Sequence, residues 1–306
     1  MKKDLVSIGD LNSDELMGLL TDAITLKKER ESGRMKAPLR GKVLAIIFEK
    51  PSLRTRVTFQ TGIYELGGMG IYLAPSDIKI GQRETVPDVA KNLSRWVGGI
   101  MARTFAHSTV TGLALNATVP VINGLSDLEH PCQILADFQT VYEKKGRLEG
   151  IKLAYIGDGN NVSHSLLLAS GLMGMDMRMA YPEGYEPNED IVKKARSFAS
   201  TSNGLILITN DPKEAVEKAD VIYTDVWASM GQKDEAEIRR EVFSPYQVNE
   251  ELTRYADPDY IFLHCLPAVR GEEVSAGVID GPHSVVFDEA ENRLHVQKAL
   301  MLKLMG

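Results

Sequence analysis

The sequence predicts an α/β protein with two doubly wound parallel-sheet domains. Apolar runs rich in β-branched residues alternate with segments of helical period, and this alternation restarts near Gly150. The length of 306 residues also suits two domains of ordinary size better than one. We therefore predict one domain at residues 1–147, joined by a C-terminal helix at 289–306, and a second domain at residues 148–288.

The first predicted domain contains three apolar runs with the length of buried strands, at residues 43–48, 99–102 and 119–122. Segments of helical spacing accompany them. Their apolar residues are Val57, Phe59, Ile63 and Leu66 after the first run, Val89, Leu93 and Trp96 before the second, and Ile134, Leu135, Phe138 and Val141 after the third. Strand-then-helix repetition of this kind predicts a parallel sheet covered by helices.

The second predicted domain repeats the pattern. Its predicted strands are residues 152–156, 177–181, 205–208, 221–224 and 261–264, with a helix at about 161–173 and an amphipathic helix at 289–305. The polar stretch at 227–244 is the longest irregular segment. A loop of that length favours a functional lid, and the alternative is a surface insertion with a short helix.

Composition excludes several classes of partner. The formal net charge is −7, which gives no global basic field to attract nucleic acid or an anionic membrane. No apolar segment is long enough to span a bilayer. Cys132 and Cys265 are too few and too far apart for a disulfide framework, and they lack the spacing of a zinc site. A reduced, cytoplasmic setting is the simplest interpretation.

The sharpest local motif lies between the first predicted strand and its helix. Pro51 ends the strand, and Ser52 is suited to cap the helix. The free N–H groups of the first helical turn, the hydroxyl of Thr55 and the charge of Arg54 then form the kind of site that holds phosphate. The alternative is a capped helix whose arginines, Arg54 and Arg56, are solvated.

Other candidates in the first domain lie near the same edge of the sheet. Arg103 stands where a strand leaves the sheet, which is the edge at which α/β folds bind ligands. His130 and Gln133 lie near the start of a helix whose first turn accommodates Pro131. The alternatives are a surface ion pair for Arg103 and a structural role for His130. For Arg293, in the terminal helix, the alternative is a solvated basic face.

In the second domain, Asp225 and Cys265 each follow a predicted strand. Asp225 could accept from an ammonium group, and the polarisable thiol of Cys265 could lie beside an amine. The alternatives are a helix cap for Asp225 and a buried structural thiol for Cys265. The turn at 157–161 is similar to a dinucleotide-binding turn. Val162 stands where the third glycine of that motif belongs, which disfavours a nicotinamide oxidoreductase.

Taken together, these segments resemble the aspartate/ornithine transcarbamylase family over essentially the whole chain. The markers are Ser-Leu-Arg-Thr-Arg at 52–56, His-Pro-Cys-Gln at 130–133, Asp-Val-Trp-Ala-Ser-Met-Gly at 225–231 and His-Cys-Leu-Pro at 264–267. The last two point to the ornithine branch, because an aspartate enzyme is expected to have a proline in place of Cys265 and to lack the Ser-Met-Gly loop.

The resemblance implies a role for each matching position. The residues implied to bind carbamoyl phosphate are Ser52, Leu53, Arg54, Thr55, Arg103, His130, Gln133, Cys265, Leu266 and Arg293. Those implied to bind L-ornithine are Asn161, Asp225, Ser229 and Met230. The implied catalytic residues are Arg103, His130, Cys265 and Thr55. The Ser229–Gly231 loop is implied to close over ornithine.

The resemblance also implies the architecture, the reaction and the assembly. The active site is expected in the cleft between two doubly wound domains. The expected reaction transfers a carbamoyl group from carbamoyl phosphate to the side-chain amine of L-ornithine, giving L-citrulline and phosphate with no metal or organic cofactor. Family members assemble as homotrimers or multiples of trimers.

Two positions depart from the family pattern. Leu53 stands where threonine is frequent, so a backbone contact survives there and a hydroxyl contact does not. Lys79 stands where glutamine is frequent, and no role is carried onto it. Two alternatives stay open: a transcarbamylase for another amine, such as putrescine or lysine, and a non-catalytic protein of the same fold.

Overall fold

The computed structural model describes residues 4–228 and 235–306. The chain forms two compact units, of which the first contains the chain up to Gln139 together with Glu291–Gly306, and the second contains Thr140–Ala290. Each unit is built on one sheet of parallel strands with alternating helices. The predicted α/β class, with two parallel sheets, is therefore confirmed.

The sheet of the first unit has the strand order β2-β1-β3-β4. Its strands are β1 (Val43–Phe48), β2 (Met69–Leu73), β3 (Gly99–Arg103) and β4 (Val121–Leu125). The chain leaves β1 toward β2 and then crosses to β3 on the other side of β1, so the order reverses between β1 and β3. The predictions for β1 and β3 are confirmed. β4 begins two residues later than predicted, and β2 was not predicted.

Helices cover this sheet. They are α1 (Ser13–Glu31), α2 (Leu53–Glu65), α3 (Pro75–Ile78), α4 (Val86–Trp96), α5 (His107–Asn116) and α6 (Pro131–Lys145). Val89 of α4 and Val110 of α5 pack against Ile47 and Ile100 on one face of the sheet. Gly70 of β2 faces α2, because a Cβ placed on it would lie 2.8 Å from Ile46 and 3.2 Å from Ile63.

The sheet of the second unit has the strand order β7-β6-β5-β8-β9. Its strands are β5 (Lys152–Ile156), β6 (Asp176–Ala180), β7 (Leu205–Thr209), β8 (Val221–Thr224) and β9 (Ile261–Leu263). Each lies within one residue of its predicted bounds. The order reverses between β5 and β8, and this reversal is the topological switch point at which open α/β sheets bind ligands.

The remaining helices are α7 (Asn161–Leu172), α8 (Glu189–Ser202), α9 (Pro212–Val216), α10 (Ala236–Phe243), α11 (Glu250–Thr253), α12 (Ala276–Ile279) and α13 (Val286–Met305). Gly171 lets α7 approach α8 closely, since a Cβ there would lie 2.4 Å from the carbonyl oxygen of Ala195. The predicted irregular stretch at 227–244 contains α10. Within the described residues, no helix has both the length and the apolarity to cross a bilayer.

His295 of α13 is a fully buried titratable residue in the first unit. Its pKa is lowered to about 4, first by burial and then by the positive charges of Lys27, Lys298 and Arg30. The unfolded chain binds a proton at this position near pH 6.5, whereas the folded chain binds one only near pH 4. Stability is therefore lost as the pH falls through this window.

We expect the variant His295→Gln to lose less stability on acidification than the unmodified protein. Below pH 6.5 the histidine costs the folded state at most about 1.4 kcal/mol per pH unit, and glutamine does not titrate. Urea unfolding at pH 7.0, 5.5 and 4.5 measures the difference between the two proteins. Parallel pH dependences would show that His295 does not retain its low pKa in solution.

Candidate active site

The start of α2 forms the first candidate site. The Oγ atom of Ser52 accepts a hydrogen bond from the N–H of Thr55 at 3.3 Å, which confirms the predicted cap. The first turn of α2 contains no acidic side chain. The positive end of the helix dipole is therefore not neutralised within the turn, as an anion-binding helix requires.

Thr55 joins two buried arginines to this helix start. Its Oγ1 atom lies 3.4 Å from Nη1 of Arg103 and 3.3 Å from Nη2 of Arg293, and both nitrogens donate to it. Arg103 is 7% exposed and Arg293 is 2% exposed. The alternatives of a surface ion pair for Arg103 and a solvated face for Arg293 are therefore wrong. Buried guanidinium groups of this kind require negative partners or acceptors.

Gln133 connects Arg293 to a carboxylate that the sequence analysis missed. Nη1 of Arg293 donates to Oε1 of Gln133, and Nε2 of Gln133 donates to Oδ1 of Asp137 at 2.8 Å. Asp137 therefore fixes the orientation of the Gln133 carboxamide. Spacing was the available signal, because residues four apart on a helix are neighbours and Gln–Asp is a favourable pair.

Positive charge accumulates around His130. Burial lowers its pKa well below the usual value, and Arg293, Arg103 and Arg54 lower it further. The pKa of Lys50, to which the sequence analysis gave no role, is also lowered, first by burial and then by Arg103. His130 is therefore neutral at physiological pH and has one ring N–H to donate. The whole cluster suits an anionic ligand.

The two departures from the family pattern lie in exposed positions. Leu53, at the first position of α2, is 74% exposed. Its backbone N–H belongs to the first helical turn, so a backbone contact to an anion does not depend on its side chain. Lys79 is exposed and follows α3 in the left-handed conformation with φ of 43°.

Asp225 is the centre of the second candidate site, at the switch point of the second unit. Its Oδ2 atom accepts from Nδ2 of Asn160 at 2.9 Å, and its Oδ1 atom accepts from the thiol of Cys265 at 3.1 Å. Asn160 in turn caps α7, because its Oδ1 accepts from the N–H groups of Val162 and Ser163. Asp225 caps none of the helices at residues 4–228 and 235–306. Its hydrogen bonds instead connect residues that follow three strands, β5, β8 and β9.

Negative charge accumulates at this second site. Burial raises the pKa of Tyr155 well above its usual value, and the charges of Asp225 and Asp158 raise it further. Burial also raises the pKa of Asp158, whose carboxylate receives a 2.8 Å hydrogen bond from Arg239. A field of this sign favours a cationic group such as an ammonium. Asn161, the first residue of α7, is half-buried.

The two cysteines have different environments, and both are free thiols. Cys132 is fully buried and donates to the carbonyl oxygen of Asn123, and burial raises its pKa to about 12. Cys265 is half-buried, so the alternative of a buried structural thiol is wrong for it. Ser229 and Met230, which the resemblance implies for binding L-ornithine, lie outside the described residues.

Asp225, His264 and Cys265 place ligand atoms within 4.8 Å of one another. Both ring nitrogens of His264 are already engaged, because Nδ1 accepts from the N–H of Leu266 and Nε2 faces a carboxylate oxygen of Glu273. The histidine offers no lone pair to an ion in this arrangement. The cluster therefore fits the binding of an amine better than the binding of a metal.

Comparison with known proteins supports one class of enzyme. Residues 3–143 match the family model for the aspartate/ornithine carbamoyltransferase carbamoyl-P binding domain, and residues 149–304 match the Asp/Orn binding domain of the same family. The chain belongs to the aspartate/ornithine carbamoyltransferase family.

Proteins named ornithine carbamoyltransferase are among the similar members of that family. Ornithine carbamoyltransferase from Thermococcus kodakarensis is 55% identical, over 99% of this chain and 96% of that protein. The Oceanobacillus iheyensis protein of the same name is 56% identical, over 99% and 94%. The structure of ornithine carbamoyltransferase from Pyrococcus furiosus has a TM-score of 0.97 and 52% identity, covering 99% of this chain and 97% of that one.

The first candidate site makes a prediction about anion binding. We expect Arg54→Gln to weaken the binding of inorganic phosphate by roughly 10- to 100-fold, because a charge-assisted hydrogen bond contributes about 1.5–3 kcal/mol. Isothermal titration calorimetry measures the change. Arg56→Gln is the matched control, because Arg56 lies two residues away on α2, is exposed and stacks on Tyr72 at 3.8 Å. Equal weakening by both variants would contradict a specific role for Arg54.

Proposed function

We propose that this chain transfers the carbamoyl group of carbamoyl phosphate to the side-chain amine of L-ornithine, giving L-citrulline and phosphate. The observation that carries the proposal is the opposite charge of its two sites. A cationic cluster surrounds the start of α2 in the first unit, and an anionic cluster surrounds Asp225 in the second. Phosphate and ammonium are the groups that such fields recognise. The family match and the similar ornithine carbamoyltransferases support it.

In this proposal the first unit binds carbamoyl phosphate. The first-turn N–H groups of α2, including that of Leu53, hold the phosphate with the hydroxyls of Ser52 and Thr55 and the charge of Arg54. Arg103, His130 and Gln133 bind the carbamoyl end. Arg293 supports both, because it contacts Thr55 and Gln133 at once.

The second unit binds L-ornithine in this proposal. Asp225 receives the α-ammonium group, and Asn161, Ser229 and Met230 complete the binding of the amino acid. Cys265 and Leu266 lie beside the side-chain amine. The proposal assigns residues 1–147, with the C-terminal helix at 289–306, to carbamoyl phosphate and residues 148–288 to ornithine.

The chemistry requires a neutral amine. The δ-ammonium of ornithine loses one proton, and its nitrogen then forms a bond to the carbamoyl carbon. The carbonyl π electrons move onto oxygen, where Arg103, neutral His130 and Thr55 donate hydrogen bonds to the developing charge. The tetrahedral intermediate collapses as the bond from carbon to the phosphate oxygen breaks. Phosphate leaves with its charge held by Arg54 and α2, and the nitrogen releases its second proton.

Two physical effects account for most of the expected acceleration. A preorganised donor at a developing oxyanion contributes about 10²–10³ in turnover. Holding both substrates in reactive geometry contributes roughly 7–11 kcal/mol. None of these steps requires a metal or an organic cofactor. We also propose a cytoplasmic location, which the two free thiols support.

The experiment that tests the function offers the protein carbamoyl phosphate with ornithine, putrescine, lysine or aspartate as parallel acceptors. We expect strong preference for ornithine, measured as citrulline formation. Arg54→Ala should raise the KM for carbamoyl phosphate, since it removes a phosphate partner. Cys265→Ala should instead change the dependence on ornithine, because Cys265 contacts Asp225.

Each other outcome of the acceptor experiment has a defined meaning. Transfer to putrescine alone would keep the reaction class and overturn the role of Asp225 in binding an amino acid. Absence of transfer to any amine by folded protein would overturn the enzyme assignment and favour a binding protein. Arg56→Ala serves as the control for Arg54→Ala, because its side chain is exposed.

We also propose that the chain assembles as a homotrimer or a multiple of trimers. Exposed apolar side chains on the first unit support an interface. Val57 and Tyr64 lie seven residues apart on one side of α2 and are 49% and 77% exposed. Met69 and Ile71 alternate with Gly70 on edge strand β2, so they lie on the face of the sheet opposite to α2, and they are 56% and 41% exposed. Apolar side chains exposed side by side, as in each of these two pairs, often mark contacts between chains.

Sedimentation equilibrium tests the assembly. We expect a particle of three chains of 33.7 kDa, or a multiple of it. Tyr64→Lys should reduce the mass, because it places a charge among the exposed apolar side chains of α2. Leu115→Lys, on α5 at 85% exposure, is the matched control and should leave the mass unchanged. A monomer at micromolar concentration would contradict the proposal.

A further inference from the structure

The loop after β9 holds two functional candidates in an unusual conformation. Leu266 has a φ of 55°, in the left-handed region that residues other than glycine seldom adopt. The preceding residue, Cys265, directs its thiol to Oδ1 of Asp225 at 3.1 Å. A branched residue stays in the left-handed region only when its surroundings hold it there. The loop therefore needs a partner that fixes its backbone.

His264 is that partner. It is fully buried, and its Nδ1 atom accepts a hydrogen bond from the N–H of Leu266, two residues along the chain, at 2.9 Å. A backbone N–H only donates, so Nδ1 carries the lone pair and the ring proton is on Nε2. That proton faces Oε1 of Glu273 at 3.2 Å. The contacts thus assign one tautomer to His264.

Two buried glutamates hold His264 in this position. Oε1 of Glu273, which is fully buried, also accepts from the N–H of Val269 at 2.5 Å. Oε2 of Glu289, which is 1% exposed, accepts from the N–H of His264 itself at 2.9 Å. The imidazole plane and the backbone of the loop are therefore fixed from two directions.

We propose that His264 is a positioning residue for carbamoyl transfer, acting through the Leu266 N–H to aim Cys265 and Leu266 at the reacting amine. The inference rests on the proposed function. It assigns no direct contact with substrate to His264, because both ring nitrogens are engaged within the protein. Glu273 has the supporting role of selecting the tautomer whose Nδ1 accepts.

Two substitutions test the two ring nitrogens separately, because each amide reproduces the hydrogen bond of only one of them. In His264→Asn the Oδ1 atom replaces Nδ1 and still accepts from Leu266, whereas the bond to Glu273 is lost. In His264→Gln the ε-amide still donates to Glu273, whereas the Leu266 N–H loses its acceptor. We expect kcat to fall by about 10²-fold in His264→Gln, since a misplacement of about 1 Å costs that much. We expect it to fall by less than about tenfold in His264→Asn.

A double-mutant cycle with Cys265→Ala shows whether His264 acts through the loop. If it does, His264→Gln costs at least about tenfold less in the Cys265→Ala background than in the unmodified protein. His283→Gln is the matched control. His283 lies in the same unit, is half-buried, bonds the carbonyl oxygen of Tyr260 at 2.8 Å and lies outside the candidate sites. It should leave kcat unchanged.

Stability is measured on every variant, because His264 is buried. If His264→Gln does not fold, Glu273→Leu is used instead, because it removes the carboxylate partner of His264 Nε2. The loss of kcat that it causes should again be smaller in the Cys265→Ala background. Equal losses in His264→Asn and His264→Gln, or strictly additive cycles, would overturn the inference. Absence of transfer by the unmodified protein would overturn the proposed function and this inference with it.

Discussion

Both candidate sites depend on the common direction of the strands within each sheet. In a parallel sheet, the residues that follow each strand lie at the same edge. Where the strand order reverses, the chain leaves two adjacent strands in opposite directions, and a crevice opens between them. The reversal between β1 and β3 puts Arg103 next to the start of α2. The reversal between β5 and β8 puts Asp225 next to Asn160. In each unit, the candidate residues are therefore concentrated where the chain leaves neighbouring strands, at β1 and β3 in the first unit and at β5 and β8 in the second.

The electrostatic character of the two units differs although their architecture is similar. In the first, buried arginines surround a neutral histidine and a helix start without acidic residues. In the second, burial raises the pKa of Tyr155, and the carboxylates of Asp225 and Asp158 raise it further. The net charge of −7 conceals this division, because it averages local fields of opposite sign. In the proposed function, substrate recognition follows from the local fields, which are stronger in a low-dielectric interior than in water.

The sequence predicted the second sheet within one residue per strand because its strands are mainly apolar runs bounded by glycine or polar residues, although Arg178 interrupts the run of β6. It missed β2, whose Gly70 interrupts the apolar run and whose Met69 and Ile71 are exposed. The Ser52 cap was predictable because capping is local. The burial of Arg103 and Arg293 was not, since it arises from tertiary packing that brings both next to Thr55, which is distant from them in sequence. The roles of Asn160 and Glu273 likewise appear only after folding.

The contrast between the two thiols has a practical consequence for spectroscopy. Cys132 is fully buried with a pKa of about 12, so at neutral pH it presents almost no thiolate and no accessible surface to an electrophilic probe. Cys265 is half-buried and stands beside Asp225. The natural chain therefore carries one addressable attachment point for a fluorophore or spin label, already at the candidate amine site, and no cysteine has to be removed or introduced to use it.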